Sequence, residues 1–154
     1  MSQINVRTTT AEDATIISQF NQQMAMETEN KVLPPEIISR GVARLMDKPE
    51  YGFYLIAESD SRPVGTCMVT TEWSDWRDGL FWWIQSVYVQ ADFRRQGVYR
   101  QMYQTIQSLA AKEPDVCGYR LYVEKENTAA QKTYESLGMS ATDYLLYETI
   151  NPSN

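Results

Sequence analysis

Apolar positions along the chain repeat at two different spacings, and the changes between them mark out the elements. Residues 5–9 alternate and predict a short first strand. Thr10 is placed to cap a helix carrying Ile16, Ile17, Phe20 and Met24 on one face, and a loop with Glu27, Thr28 and Glu29 follows. Pro34-Pro35 opens a second helix, in which Ile38, Val42, Leu45 and Met46 repeat the helical spacing until Pro49. Residues 53–58 and 64–71 are β-rich runs joined by Ser59-Asp60-Ser61-Arg62-Pro63, a hairpin signal. Residues 73–79 read as a linker into 80–89, the strongest strand. Residues 97–112 then predict a helix with Val98, Met102, Ile106 and Leu109 in line and Pro114 past its end. A strand over 117–123, a helix over 128–137 stopped by Gly138, and a closing strand over 144–149 complete the chain.

The order is therefore β-α-α-β-β-β-α-β-α-β. Three consecutive strands with short connections imply an antiparallel meander, and the strand-helix-strand passage after them implies a parallel crossover. A mixed central sheet covered by helices is the economical architecture. With 154 residues and no repeat, low-complexity tract or linker composition, one domain over 1–154 is expected. The longest apolar run, Leu80 to Ile84, is far short of a membrane span, and the first residues lack a basic-then-apolar leader. A cytoplasmic protein without a membrane partner is the expectation.

Charge and composition narrow the chemistry. A net charge of −6 argues against nucleic acid, whose phosphates demand a basic surface. Cys67 and Cys117 lie far apart with no CxxC and read as buried thiols, and no metal site is expected. The chain has no histidine, which removes Ser-His-Asp and Cys-His nucleophile systems, HExxH metal sites and every histidine base. Any chemistry must use carboxylates, Tyr, Lys, Ser, backbone amides or a bound cofactor.

One segment concentrates positive charge. After the strong strand, Asp92-Phe93 turns the chain, and Arg94-Arg95-Gln96-Gly97 opens a helix that also carries Arg100. Amides in a helix's first turn have no internal partners and carry the positive end of its dipole. Three arginines within seven positions of an acidic chain point to a specific anionic ligand. A solvated basic helix start would show the same residues.

Arg94 to Val98 resembles the (Q/R)-x-x-G-x-(G/A) signature of the GNAT superfamily of N-acetyltransferases, with the right strand before it and the right helix after it. The resemblance implies that acetyl-CoA is the cosubstrate, and that the amides of Gln96, Gly97, Val98, Tyr99 and Arg100, with Arg94 and Arg95, cradle the coenzyme A pyrophosphate. Tyr99 departs from the small residue of the signature. A backbone cradle tolerates that if the ring points away. The segment from Cys117 through Asn127, Ala130, Tyr134 and Gly138-Met139 resembles the second signature, N-x-x-A-x-x-x-Y-x-x-x-G-(F/M). There Thr128 and Gln131 suit a capping box, and Ala130, Tyr134 and Leu137 share a helix face. By resemblance, Tyr134 is the general acid that protonates the departing thiolate, and Asn127 bonds the pantetheine region or caps the helix. Residues 84–89 resemble the fourth strand of the superfamily. That places Val87, Tyr88 and Val89 along the pantetheine arm, with a nearby amide polarising the acetyl carbonyl. The implied fold is of the α/β (α+β) class: a mixed, mostly antiparallel central sheet of six to seven strands flanked by about four helices.

An amine must lose a proton before it attacks. Many superfamily members carry a glutamate on the fourth strand, where this chain has Trp82, Trp83, Gln85 and Ser86. The base is therefore expected from the neighbouring loops, Glu72 first and Glu27 or Glu29 next, acting through water. Trp73 and Trp76, interleaved with Asp75 and Asp78, form a candidate lip able to hold a cation by ring face and carboxylate. The segment loosely resembles the corresponding loop of diamine acetyltransferases, whose acidic pair is Gln85-Ser86 here. The expected acceptor is thus the primary amine of a small cationic molecule, met by Glu27, Glu29, Trp76, Asp78 and Gln85. A peptide or protein acceptor, and a non-catalytic acetyl-CoA sensor, are the alternatives. Superfamily members are often dimers, which makes a homodimer an expectation by analogy alone.

Overall fold

The computed structural model describes residues 3–152, which fall into two compact units divided between Tyr122 and Val123. The first holds β1 (Ile4–Thr8), α1 (Ala14–Glu29), α2 (Pro35–Met46), β2 (Gly52–Ser59), β3 (Arg62–Ser74), β4 (Gly79–Val89), α3 (Val98–Ala110) and β5 (Val116–Arg120). Single 3-10 turns, Ala11–Asp13 and Ala91–Phe93, precede α1 and α3. The strands form one sheet in the order β1-β2-β3-β4-β5. The first four are antiparallel neighbours and β4 pairs with β5 in parallel. With α4 (Thr128–Ser136) in the second unit, the described residues form an α+β fold of a mixed five-stranded sheet and four α-helices.

Side-chain alternation along the strands divides the core. Tyr54 and Ile56 of β2 pack with Ile17 of α1 and Val42 of α2, and Met68 of β3 joins that cluster. Leu55, Cys67 and Val69 point to the opposite face by the two-residue period. There a Cβ on Gly65 would stand 3.5 Å from the Val98 side chain, so α3 covers this face. Buried Thr66 donates its hydroxyl to the Leu55 carbonyl at 2.8 Å. Replacing it with valine keeps the shape and removes that bond. Thr66→Val is expected to cost about 1 kcal/mol, or about 3 °C in melting temperature, by thermal denaturation.

Glu27, Thr28 and Glu29 do not form a loop, because α1 runs on through Glu29, and three further expectations change. Residues 73–79 are not a linker: β3 and β4 run on through Trp73↔Leu80 and Ser74↔Gly79, so only a tight turn remains. Residues 144–149 form no strand, and the sheet has five strands instead of six to seven. A strand needs a neighbour for its backbone, and β-propensity alone cannot supply one. Thirdly, Cys117 is exposed; only Cys67 is buried, and burial pushes its thiol up to about 12.

Candidate active site

The site begins where β4 loses a neighbour. Its pairing with β5 runs from Leu80↔Val116 to Trp83↔Arg120 and ends there, while pairing with β3 continues to Gly65↔Val89. Among the described residues, the last six positions of β4 therefore have a ladder on one side only. The register with β3 also shifts: Thr66 faces Tyr88, whereas Met68 faces Gln85, so Ser86 and Val87 together oppose Cys67. This is a β-bulge, and Ser86 takes a left-handed conformation, φ 51°, that costs a non-glycine residue on the order of 1 kcal/mol.

The bulge has two consequences. It re-aims Tyr88: without the extra residue, Tyr88 would share a face with Trp82 and Ile84, whereas here its ring meets Phe20 of α1 at 5.5 Å. It also sets the backbone at the end of the open edge. Gln90 donates its amide to Val64 of β3 at 2.8 Å, so strand alternation turns the polar groups of Val89 away from β3, where its carbonyl accepts from Arg94 Nε at 2.8 Å.

Beyond β4, the chain alternates conformations as it enters α3. Arg95 has φ 62° and Gly97, the N-cap, has φ 80°, with Gln96 between them. Such alternation turns successive amides toward one side and suits an anion, as does the N-terminus of the 13-residue α3. Arg95, Gln96, Gly97 and Arg100 are exposed, Val98 is buried in the core and Tyr99 is half-buried. No heavy atom lies within 4 Å of where a Gly97 Cβ would stand, so the space over the turn is open. Gln96 is held by its amide on the Asp92 carbonyl at 2.9 Å. This turn and the open β4 edge lie in sequence on one path, and both fit a long ligand with a phosphorylated end and an amide-rich arm.

Arg94 behaves differently from its neighbours. Its Nη2 pairs with Glu27 at 2.6 Å and its Nε donates to the Val89 carbonyl at 2.8 Å. Tyr88 donates its hydroxyl to the same Glu27 at 2.5 Å. The Arg94 and Tyr88 bonds hold the Glu27 carboxyl below its usual range, and burial with the Glu27 bond pushes the Tyr88 phenol up to about 12. Glu29, the last residue of α1, is exposed.

A second polar cluster occupies the α1–α2 side of the sheet. Glu72 Oε1 accepts from Trp83 Nε1 at 3.0 Å and from Arg120 Nη1 at 2.7 Å. The Arg120 guanidinium carbon sits over the Phe81 ring, 3.7 Å from its centre. Gln85 donates to Thr70 at 2.6 Å and meets the Tyr122 hydroxyl at 3.5 Å. Glu72 is thus a strand residue, and the Trp83 bond, with help from Arg120, lowers its carboxyl. The sequence reading missed Arg120 and the polar edge of Trp83, because their partners depend on register. Trp76 and Asp78 do not join this cluster. They lie in the turn beyond Gly79, about 20 Å along β4 from the bulge by strand rise. Trp76 is 90% exposed there.

In the second unit, Asn127 caps α4, accepting from the Ala130 amide at 3.1 Å. The cap is therefore Asn127, one residue before Thr128, and Gln131 instead holds the Glu124 and Lys125 carbonyls. Ala130 and Tyr134 lie on α4, and burial raises the Tyr134 phenol above its ordinary value.

With this geometry in view, comparison decides the family: the profile of the Acetyltransferase (GNAT) family matches residues 18–139. The chain belongs to the GNAT acetyltransferase family. A possible acetyltransferase from Clostridium difficile 630 is 40% identical, with a TM-score of 0.89 over 97% of this chain and 99% of that one. Two further structures are similar in fold at low identity. One is the aminoglycoside acetyltransferase AAC(6')-Iy in complex with the bisubstrate analogue CoA-S-monomethyl-acetylneamine (16% identity, TM-score 0.81, 98% and 100% covered). The other is an aminoglycoside acetyltransferase from an uncultured soil metagenomic sample in complex with sisomicin (13% identity, TM-score 0.78, 97% of each chain). No curated protein matches the sequence. The chain's family is thus one of acetyltransferases, and AAC(6')-Iy, alike in fold, is solved in complex with CoA. Among the described residues, no helix is long and apolar enough to cross a membrane, and no group of three potential metal ligands occurs.

Proposed function

We propose that this GNAT protein transfers an acetyl group from acetyl-CoA to the primary amine of a small cationic molecule. The observation that carries the reading is the one-sided stretch of β4 with its bulge at Ser86, continuous with the left-handed turn at Arg95 and Gly97. Two of the structures alike in fold are aminoglycoside acetyltransferases, which makes polycationic amino sugars a first class to try. The acidic chain, with exposed Glu29 at the end of α1, suits such an acceptor.

Bound acetyl-CoA supplies a thioester whose carbonyl carbon takes the amine nitrogen and whose sulfur leaves as thiolate. The chain's residues do the rest. Amides of the Gly97 turn and the Arg95 and Arg100 guanidiniums meet the phosphates, while Val87 and the Val89 amide offer backbone groups to the arm. In this reading a Val87 N–H beside the bulge polarises the acetyl carbonyl. Tyr134 gives its hydroxyl proton to the departing sulfur. This assignment rests on the second signature and on burial, which keeps the phenol protonated. The amine's proton leaves through water, with Glu72 as the carboxylate that draws it.

Because Glu72 titrates below its ordinary range, it is ionised wherever amines lose protons, and any limb it adds lies at acid pH. Glu72→Gln is expected to lower kcat/KM about tenfold while leaving the shape of the profile between about pH 6 and 9 unchanged. Loss of a limb in that range would show that Glu72 itself titrates there.

The test of the whole reading is thiol release from acetyl-CoA across diamines, aminoglycosides, amino acids and short peptides. Turnover of a cationic small amine supports it. Turnover of peptides alone would replace the acceptor class, and tight CoA binding without any turnover would replace catalysis with sensing.

A further inference from the structure

We infer that Glu27 is a positioning residue that locks the C-terminal end of α1 to the open edge of β4 through Arg94 and Tyr88. The inference deepens the acetyl-CoA reading and rests on it for its consequence in binding. Sequence resemblance alone gives Arg94 to the cofactor's phosphates. The structure turns its guanidinium the other way: Nε on the Val89 carbonyl at 2.8 Å, Nη2 on Glu27 at 2.6 Å, and the plane 5.6 Å over the Tyr88 ring. Tyr88 completes the loop by donating to Glu27 at 2.5 Å, with the Gln23 amide oxygen a further acceptor at 3.2 Å. Every member is anchored elsewhere. Tyr88 is set on this face by the bulge, and Val89 is the last residue of β4. Glu27 and Gln23 are one turn apart on α1, and Arg94 follows the 3-10 turn that leads to α3.

The arrangement ties a segment on the acceptor side, the end of α1 and the loop after it, to the strand edge and turn that hold the donor. Both ends are charged and half-exposed, so the pair alone contributes little to stability. Its effect is on geometry. With the Val89 carbonyl and the Tyr88 ring also engaged, the guanidinium has one allowed place, and the strand edge is held in register with α1. The side-chain hydrogen bonds of Glu27 go to Arg94 and Tyr88. A change there reaches the donor site only through Arg94 and Tyr88.

The first measurement needs no ligand. Hydrogen exchange is followed at the Asn30 and Lys31 amides, which close α1 on the Met26 and Ala25 carbonyls. Arg94→Gln, made on the other end of the lock, is expected to speed that exchange about fivefold, and Arg94→Lys less, because lysine keeps one of the two hydrogen bonds. Unchanged exchange in Arg94→Gln would overturn the lock. The second measurement is binding of CoA, and of pantetheine, which lacks the pyrophosphate. Glu27→Gln and Arg94→Gln are each expected to weaken both ligands about five- to tenfold, with the double variant no weaker than either single one. If Glu27→Gln instead tightens CoA alone, Arg94 is a phosphate ligand that Glu27 restrains, and the inference fails. If the native protein binds neither compound, the acetyl-CoA reading falls, and the exchange result still decides the lock.

Discussion

Tyr134→Phe is expected to keep the fold, bind acetyl-CoA normally and lose at least about tenfold in kcat, with general acids reaching about a hundredfold or more. The substitution removes only a hydroxyl. Burial holds that hydroxyl protonated well into the alkaline range, since desolvation penalises the phenolate. The sign matters for the pH profile: an acid whose proton affinity is raised remains competent as pH rises through 9, so no alkaline limb from Tyr134 falls below about 10. The deficit should also depend on the leaving group. With an acyl donor whose thiol is more acidic, the sulfur departs without help, and the gap between native enzyme and variant should narrow. A gap that stays constant across donors, or a change in acetyl-CoA affinity as large as that in kcat, would place Tyr134 in binding and leave the sulfur to be protonated by water.

How far such a site can be read from sequence depends on which part of it is local. The α3 entry was legible because its chemistry is local: a glycine that must take φ 80°, arginines within a turn of it, and a helix dipole that starts there. The helices on either side of it were legible for the same reason, from Pro35 opening α2 to Gly138 following α4, because period and punctuation lie within a few residues. Glu72 was found but misplaced. It reads as a loop residue because Trp73-Ser74-Asp75-Trp76 looks like a connection, yet β3 continues to Ser74 and pairs with Gly79. Arg120 was not found at all. It matters because β4 and β5 align Trp83 with Arg120, and a parallel register set by a crossover leaves no mark in the strand's own residues. The bulge at Ser86 is a third case. Gln85-Ser86 breaks the apolar run, but nothing local says that one residue will be skipped and Tyr88 turned to face α1. The segment 144–149 errs the other way: its composition says strand, and pairing is a property of two segments.

Gly97→Ala is expected to raise the KM for acetyl-CoA at least about tenfold, the equivalent of about 1.4 kcal/mol, while lowering kcat much less. Two costs must be separated. An alanine at φ 80° is strained by about 1 kcal/mol, which lowers the melting temperature by a few degrees and says nothing about function. The second cost is specific: the new methyl stands in open space beside exposed amides, where the anion reading puts the pyrophosphate. Gly138 provides the control. It has φ 94°, it too has no heavy atom within 4 Å of an added Cβ, and it follows α4. Gly138→Ala should therefore show the same loss in melting temperature with KM unchanged. If the two variants lose stability alike and neither affects KM, the turn is a structural helix start and the phosphates lie elsewhere. If only Gly97→Ala raises KM, and does so for acetyl-CoA more than for acetyl-pantetheine, the contact is with the pyrophosphate, because the arm is common to both donors and only the phosphates distinguish them.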